Sequence, residues 1–224
     1  MKKNLVLLVV CGALLCLPNS LHAQFHFSLA PTTGFNFNLH TGSDVSSTGT
    51  GFGFVIGGQA IMSFSPMFGL VEGITFYDNR SGTFSQSYPS KQYTNATDNV
   101  DNSVSLGYLQ IENLFMVKLP KSGFYFVAGP VIGFNIEGSS EITVKSVDNT
   151  NPNLTATSKT KGSIKDALVR FELKIGAGYD IPITRNIYVF PQVTFGFGLT
   201  KVVSDVSWRV LTFQAIGGVK FVLS

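Results

Sequence analysis

Residues 169–179 read VRFELKIGAGY, and their charges fall on alternate positions: Arg170, Glu172 and Lys174 interleave with Val169, Phe171, Leu173 and Ile175. That is the period of a β-strand with one polar and one apolar face. Which face meets water decides the fold. In a soluble sandwich or barrel the charges point outward, whereas in a membrane barrel the apolar face meets lipid and the charges turn into the lumen. Both architectures produce the alternation, so the surrounding sequence has to choose.

Eight alternating segments run along the chain, at about residues 25–39, 51–64, 67–77, 104–119, 124–137, 164–181, 186–200 and 207–223. Each exceeds the five or six residues usual for a soluble strand, and no convincing helical period lies between them. Their connections alternate in length. Short turns fall at 65–66, 120–123 and 182–185, and longer polar stretches at 40–50, 78–103, 138–163 and 201–206. Short turns at one end and long loops at the other mark an outer-membrane barrel with both termini on the turn side. A soluble barrel has no reason to sort its loops by end.

Charge decides between the faces. A soluble surface is about 25–35% charged, yet only 13% of this chain is charged, against 20 Phe and 23 Gly. The segment NIYVFPQVTFGFGLT (186–200) has no charge, and Ile187, Val189, Pro191, Val193, Phe195, Phe197 and Leu199 share one face. The segment at 51–64 is also uncharged, with Phe52, Phe54, Ile56, Ala60, Met62 and Phe64 on one side. The apolar rows therefore face lipid, and Arg170, Glu172 and Lys174 point inward. By the same rule Gln110, Glu112 and Lys118 turn inward from the fourth segment, and Thr212, Gln214 and Lys220 from the eighth. Keeping the third segment's carboxylate out of lipid turns Glu72 inward, and with it Phe68, Leu70, Ile74 and Phe76. The fold class expected is all-β, an eight-stranded antiparallel up-and-down transmembrane β-barrel.

The chain opens MKKNLVLLVVCGALLCLPNSLHAQ, in which Lys2 and Lys3 precede an apolar run, then Pro18 and Ala23. That order predicts a secretory leader, residues 1–23, cleaved after Ala23 to leave the barrel domain at 24–224. The apolar run is shorter than the roughly 20 residues of a spanning helix. Both cysteines, Cys11 and Cys16, lie in the leader. Residues 24–224 thus offer no disulfide, thiolate metal site or cysteine nucleophile. Loss of Lys2 and Lys3 lowers the formal charge of +3 by two, and the rest shows no clustered basic footprint for nucleic acid.

The stretches GYLQIENLFMVKLPKSGFYFVAGPVIGF (107–134) and LKIGAGYDIPITRNIYVFPQVTFGFGLTKV (173–202) resemble the PorT-like outer-membrane β-barrel family. So do GFGFVIGGQAIMSFSPMFGLVEGITFY (51–77) and VLTFQAIGGVKF (210–221). The resemblance covers nearly all of residues 24–224, rests on Gly and aromatic strand patterns, and implies an eight-stranded barrel. It carries no catalytic residues. Glu112-Asn113 stands where the family often has a Pro, and the chain closes Phe221-Val222-Leu223-Ser224 rather than on an aromatic residue.

Chemistry is sparse. His26 and His40 lie at opposite ends of one strand, and His40 with Asp44 is a poor candidate for a catalytic pair. Glycine clusters such as GFGF lack the Lys and helix of a phosphate loop, so strand curvature explains them. A proton or substrate path through Glu72, Glu112, Arg170, Glu172, Lys174 and Gln214 competes with a simpler account. An eight-stranded barrel is just wide enough for interior side chains to fill it, and buried charges are tolerated when paired. Arg170 is expected to pair with Glu112 or Glu72. Tyr108 and Trp208 near the loop ends, and Phe124, Phe126, Tyr188 and Phe221 near the turn ends, fit the aromatic girdles at membrane interfaces. The expected function is non-enzymatic, structural or surface-interacting, ahead of a narrow channel and an outer-membrane enzyme. No cofactor is expected. The expected partners are outer-membrane lipid, the barrel-assembly machinery and an extracellular or envelope protein met through residues 78–103 and 138–163.

Overall fold

The computed structural model describes residues 26–43, 48–93, 95–151, 155–164, 167 and 169–223. The expected leader and its cleavage site lie outside the described residues, as does Asp44. Among the described residues there are ten strands: β1 (His26–Thr41), β2 (Gly49–Ser63), β3 (Phe68–Pro89), β4 (Ala96–Lys118), β5 (Phe124–Asp148), β6 (Thr155–Ser163), β7 (Arg170–Tyr179), β8 (Ile181–Pro182), β9 (Ile187–Gly198) and β10 (Arg209–Val222). Eight of them form a closed antiparallel ring in the order β1-β2-β3-β4-β5-β7-β9-β10. Closure comes from β10, which pairs Ala215 with Phe35 of β1 and with Val193 of β9. The two-residue β8 pairs with β9 inside a turn, and β6 pairs with β5 beyond the ring.

Burial along β7 answers the question of its faces. Glu172 and Lys174 are 2% and 1% exposed, while Phe171, Leu173 and Ile175 are 46%, 50% and 53% exposed. The charges are inside and the apolar row is outside.

Two stretches differ from the loops expected at 78–103 and 138–163. They are mostly strand: β3 and β4 stay paired from Phe68↔Val117 up to Pro89↔Thr97, and β5 pairs with β6 from Ser139↔Ser163 to Val147↔Thr155. The reason is chemical. Above the membrane the outward row changes from Phe and Ile to Ser, Thr and Asn, which hydrogen-bond across the strands at Thr83–Ser103 (3.2 Å), Ser85–Asp101 (2.6 Å) and Ser87–Asn99 (2.6 Å). Apolar alternation therefore ends where lipid ends, and the sheet continues. The sixth barrel strand correspondingly begins at Arg170 rather than near 164.

The interior is layered. Toward the turn end Ala30, Ile61, Val71, Leu114, Met116, Tyr125, Val127, Val131 and Phe190 form one buried apolar cluster. Toward the loop end Phe84, Val104, Leu106, Tyr108, Val202, Trp208 and Val210 form another. The inward row of β4 passes through all three layers: Val104, Leu106 and Tyr108, then Gln110 and Glu112, then Leu114 and Met116. Polar side chains occupy the space between two apolar plugs.

Candidate functional site

The central belt is an ion-pair network with three acids and three bases. Arg170 donates through Nε (2.9 Å) and Nη2 (2.5 Å) to Glu172 Oε2, and through Nη2 to the Val210 carbonyl at 2.9 Å. Lys174 Nζ reaches Glu112 Oε1 at 2.6 Å and Gln214 Oε1 at 3.1 Å. Arg80 Nε donates to Asp78 Oδ2 at 2.5 Å, and its Nη2 lies 3.6 Å from Glu172. Asp78 also accepts from Asn36 (2.6 Å) and Gln110 (2.5 Å). The network ties β1, β3, β4, β7 and β10 together across the lumen. Space for it comes from Gly196, where an added Cβ would collide with Glu172 Oε1.

This arrangement corrects two expectations. Arg170 pairs with Glu172, two residues along its own strand, and Lys174 takes Glu112. Glu72 is not in the network: on β3 the inward residues are Val71, Gly73 and Thr75, and Glu72 faces outward beside Asn113. Packing explains the direction, because Val71 belongs to the lower apolar plug, whereas turning Glu72 in would push Phe68, Leu70, Ile74 and Phe76 into a lumen already filled.

Asp78 and Arg80 are the residues that sequence reasoning missed. A bulge between Thr75 and Asp78 inserts an extra residue into β3, so Phe76 and Tyr77 both avoid the interior and the inward parity switches from odd to even. The signal was in ITFYDNR itself. Unbroken alternation would have carried Asp78 and Arg80 onto the face of Phe76.

Tyr108 and Trp208 are also corrected. They are 1% and 7% exposed and lie in the upper plug, not in a girdle. Their parity shows why: Tyr108 shares its face with Gln110 and Glu112, and Trp208 with Thr212 and Gln214. Trp208 Nε1 donates to His40 Nδ1 at 3.0 Å, and His40 Nε2 faces the Ser81 carbonyl at 2.9 Å. Phe84 stands edge-on to both rings. Of the remaining candidates, Phe124, Phe126 and Phe221 are exposed on the outer wall, and Tyr188 is half-buried under Lys220.

At the turn end a cavity of about 940 Å³ is lined by His26, Ser63, Lys118, Asp180, Arg185 and Lys220 among others. Lys220 forms an ion pair with Asp180 and lies over the Tyr125 and Tyr188 rings. Tyr125, a buried member of the lower plug, donates its hydroxyl to Gln192 Oε1 at 3.0 Å. Among the described residues no group of three or more His, Cys, Asp or Glu side chains is placed to hold a metal ion.

A protein-family match agrees with this architecture. The family model described as outer membrane protein beta-barrel domain matches residues 20–204. No curated protein matches the chain. Solved structures similar to it include Ail, the attachment invasion locus protein of Yersinia pestis (8% identity, TM-score 0.39, covering 87% of this chain and 98% of that one). Neisserial surface protein A (11%, 0.38, 88% and 97%) and CarO of Acinetobacter baumannii (13%, 0.35, 85% and 97%) are further examples. The closed ring, its lipid-facing apolar wall and the family match together make this chain a member of the outer membrane protein β-barrel domain family, located in the outer membrane.

Proposed function

We propose that this outer-membrane protein is a non-enzymatic anchor that presents a rigid sheet for recognition outside the cell, and that its barrel is closed to solutes. One observation carries this: β3, β4, β5 and β6 continue as a four-stranded sheet past the rim, while the lumen beneath is filled by two apolar plugs and a neutral ion-pair belt. A rigid barrel supplies the scaffold, and the projecting part supplies the contact surface. Among the described residues β6 is paired on one side only, which leaves a backbone edge for an extended partner segment. Tyr88 and Ile142 are exposed on the projection and give it apolar contact points. The strand motifs at 107–134 and 173–202 support a PorT-like member of the family. Residues 1–23 serve as the cleaved leader, and the assembly machinery inserts the barrel.

The test is to shorten both hairpins without touching the barrel. Replacing residues 87–99 and 143–159 each by Asn-Gly joins the register partners Gln86↔Val100 and Ile142↔Thr160 by a tight turn. The trimmed chain should still migrate as a heat-modifiable barrel. Photo-cross-linkers at Tyr88 and Thr157 of the full chain should give protein adducts on cells, and one at Val193 should give none. Absence of adducts from the hairpin sites would contradict the proposal.

A further inference from the structure

The outer wall holds one feature that the sealed anchor does not explain. The lipid-facing row of β3 is Phe68, Leu70, Glu72, Ile74 and Phe76, and that of β4 is Leu109, Ile111, Asn113, Phe115 and Val117. In each row the third of five residues is polar. Register sets these two side by side, Glu72↔Asn113, between the apolar pairs Leu70↔Phe115 and Ile74↔Ile111. Asn113 Nδ2 donates to Glu72 Oε2 at 3.1 Å. With a rise of about 3.3 Å per residue and a tilt of about 40°, the pair lies ~10 Å from either end of its row, near the middle of the apolar band.

A carboxylate there is expensive, and one hydrogen bond does not satisfy it. A carboxylate accepts at both oxygens, and a carboxamide keeps a second N–H and its carbonyl oxygen for other partners. Lipid tails offer neither. The surface around the pair is low: Ala60 flanks Glu72 on β2, and Ala128 and Pro130 flank the Asn113 side on β5. Phe68, Phe115, Ile74 and Ile111 border it. Another protein wall can therefore approach closely at this level.

We propose that this patch is a self-association site, at which a second copy of the chain docks about a two-fold axis along the membrane normal. A two-fold contact brings each residue opposite its neighbour's counterpart. With the axis between β3 and β4, Glu72 of each copy meets Asn113 of the other. The second N–H of each carboxamide then donates to the other copy's carboxylate, so one operation gives both carboxylates a second donor, and the carboxylates stay diagonal with the carboxamides between them. An unrelated partner would have to supply the same pair in reverse order. The contact lies in the membrane, below the projecting sheet, so trimming the hairpins leaves it intact.

The experiment uses the full chain in outer membranes with a membrane-permeant bismaleimide. Ile111→Cys, beside the axis, should give a band of twice the monomer mass at least tenfold stronger than Val193→Cys on the far wall. The chain without an added cysteine serves as the blank. Adding Glu72→Leu and Asn113→Leu should reduce that band at least tenfold while the monomer remains heat-modifiable. Ala128→Trp, which blocks approach but leaves the polar pair in place, should do the same, so the test does not depend on the leucine variant assembling. Equal bands from Ile111→Cys and Val193→Cys would overturn the proposal. So would no dimer, a dimer that survives these substitutions, or an adduct of another mass.

Discussion

Trp208 and His40, 168 residues apart, meet beneath the rim with the indole N–H donating to His40 Nδ1 at 3.0 Å. Because the Ser81 carbonyl can only accept, His40 Nε2 carries the proton, and the ring is held as the neutral Nε2–H tautomer. This fixes β1 to β3 and to the start of β10 at the upper plug. Nitrogen NMR of labelled His40 should show that tautomer. Trp208→Phe keeps the ring but leaves a buried acceptor empty, so it should cost about 1–3 kcal/mol in unfolding experiments. A protonated or Nδ1–H ring would contradict the arrangement.

The belt makes a sharper energetic prediction. Arg170→Leu removes both hydrogen bonds from Glu172 and leaves a buried carboxylate with Arg80 at 3.6 Å. Loss of one partner of a buried pair costs about 3–5 kcal/mol. Adding Glu172→Leu should restore much of it, since replacing both partners by apolar groups is often neutral. Phe171→Arg puts a charge into lipid instead and should cost about 2–4 kcal/mol at mid-bilayer. Urea unfolding in lipid measures all three, and normal folding of Phe171→Arg would mean that the faces are inverted.

The layered interior predicts that the barrel is silent in planar bilayers. Two apolar plugs bracket charges already engaged with one another, so no continuous wet path crosses the lumen. Small substitutions in one plug, such as Phe190→Ala, should leave the other plug in place and the conductance low. Large, stable, salt-dependent openings of the unaltered chain would promote the channel reading over the anchor.

On the projecting sheet, Glu141 faces Lys161 at 3.2 Å and Lys159 at 3.4 Å. Hydrogen bonds from Lys161 and then Lys159 hold its carboxyl below the usual carboxylate range. A depressed carboxylate supports the folded hairpin above its unfolded value and loses that support as pH falls through the lowered one. The β5–β6 hairpin should therefore loosen only in acid. A carbon NMR titration of Glu141 should report the low value, and Lys161→Met should move it up. An unchanged titration in that variant would show the contact to be incidental.

The ring and its face assignment were legible because lipid and a packed lumen impose opposite chemistry on alternate residues, as β7 shows. Alternation could not reveal a break in its own phase. The bulge after Thr75 hid Asp78 and Arg80, two of the six ionic members of a belt whose other four were visible. At strand ends, position along the strand and parity give opposite answers for Tyr108 and Trp208, and parity decides, placing both inside. The projecting hairpins resemble loops in sequence because their outer row is polar on a sheet that no longer touches lipid. Glu72 was turned inward by its charge, while the apolar plug around Val71 decides otherwise.

The central claim is an anchor with β3–β6 projecting outside the cell and short turns inside, and cysteine accessibility tests it directly. Residues 24–224 contain no cysteine, so single cysteines at Ser87 and Asn149 on the projection and at Ser122 in a turn report without background. On intact cells a membrane-impermeant maleimide should label Ser87→Cys and Asn149→Cys and spare Ser122→Cys until the membrane is opened. Labelling of Ser122→Cys alone on intact cells would reverse the topology and contradict the account.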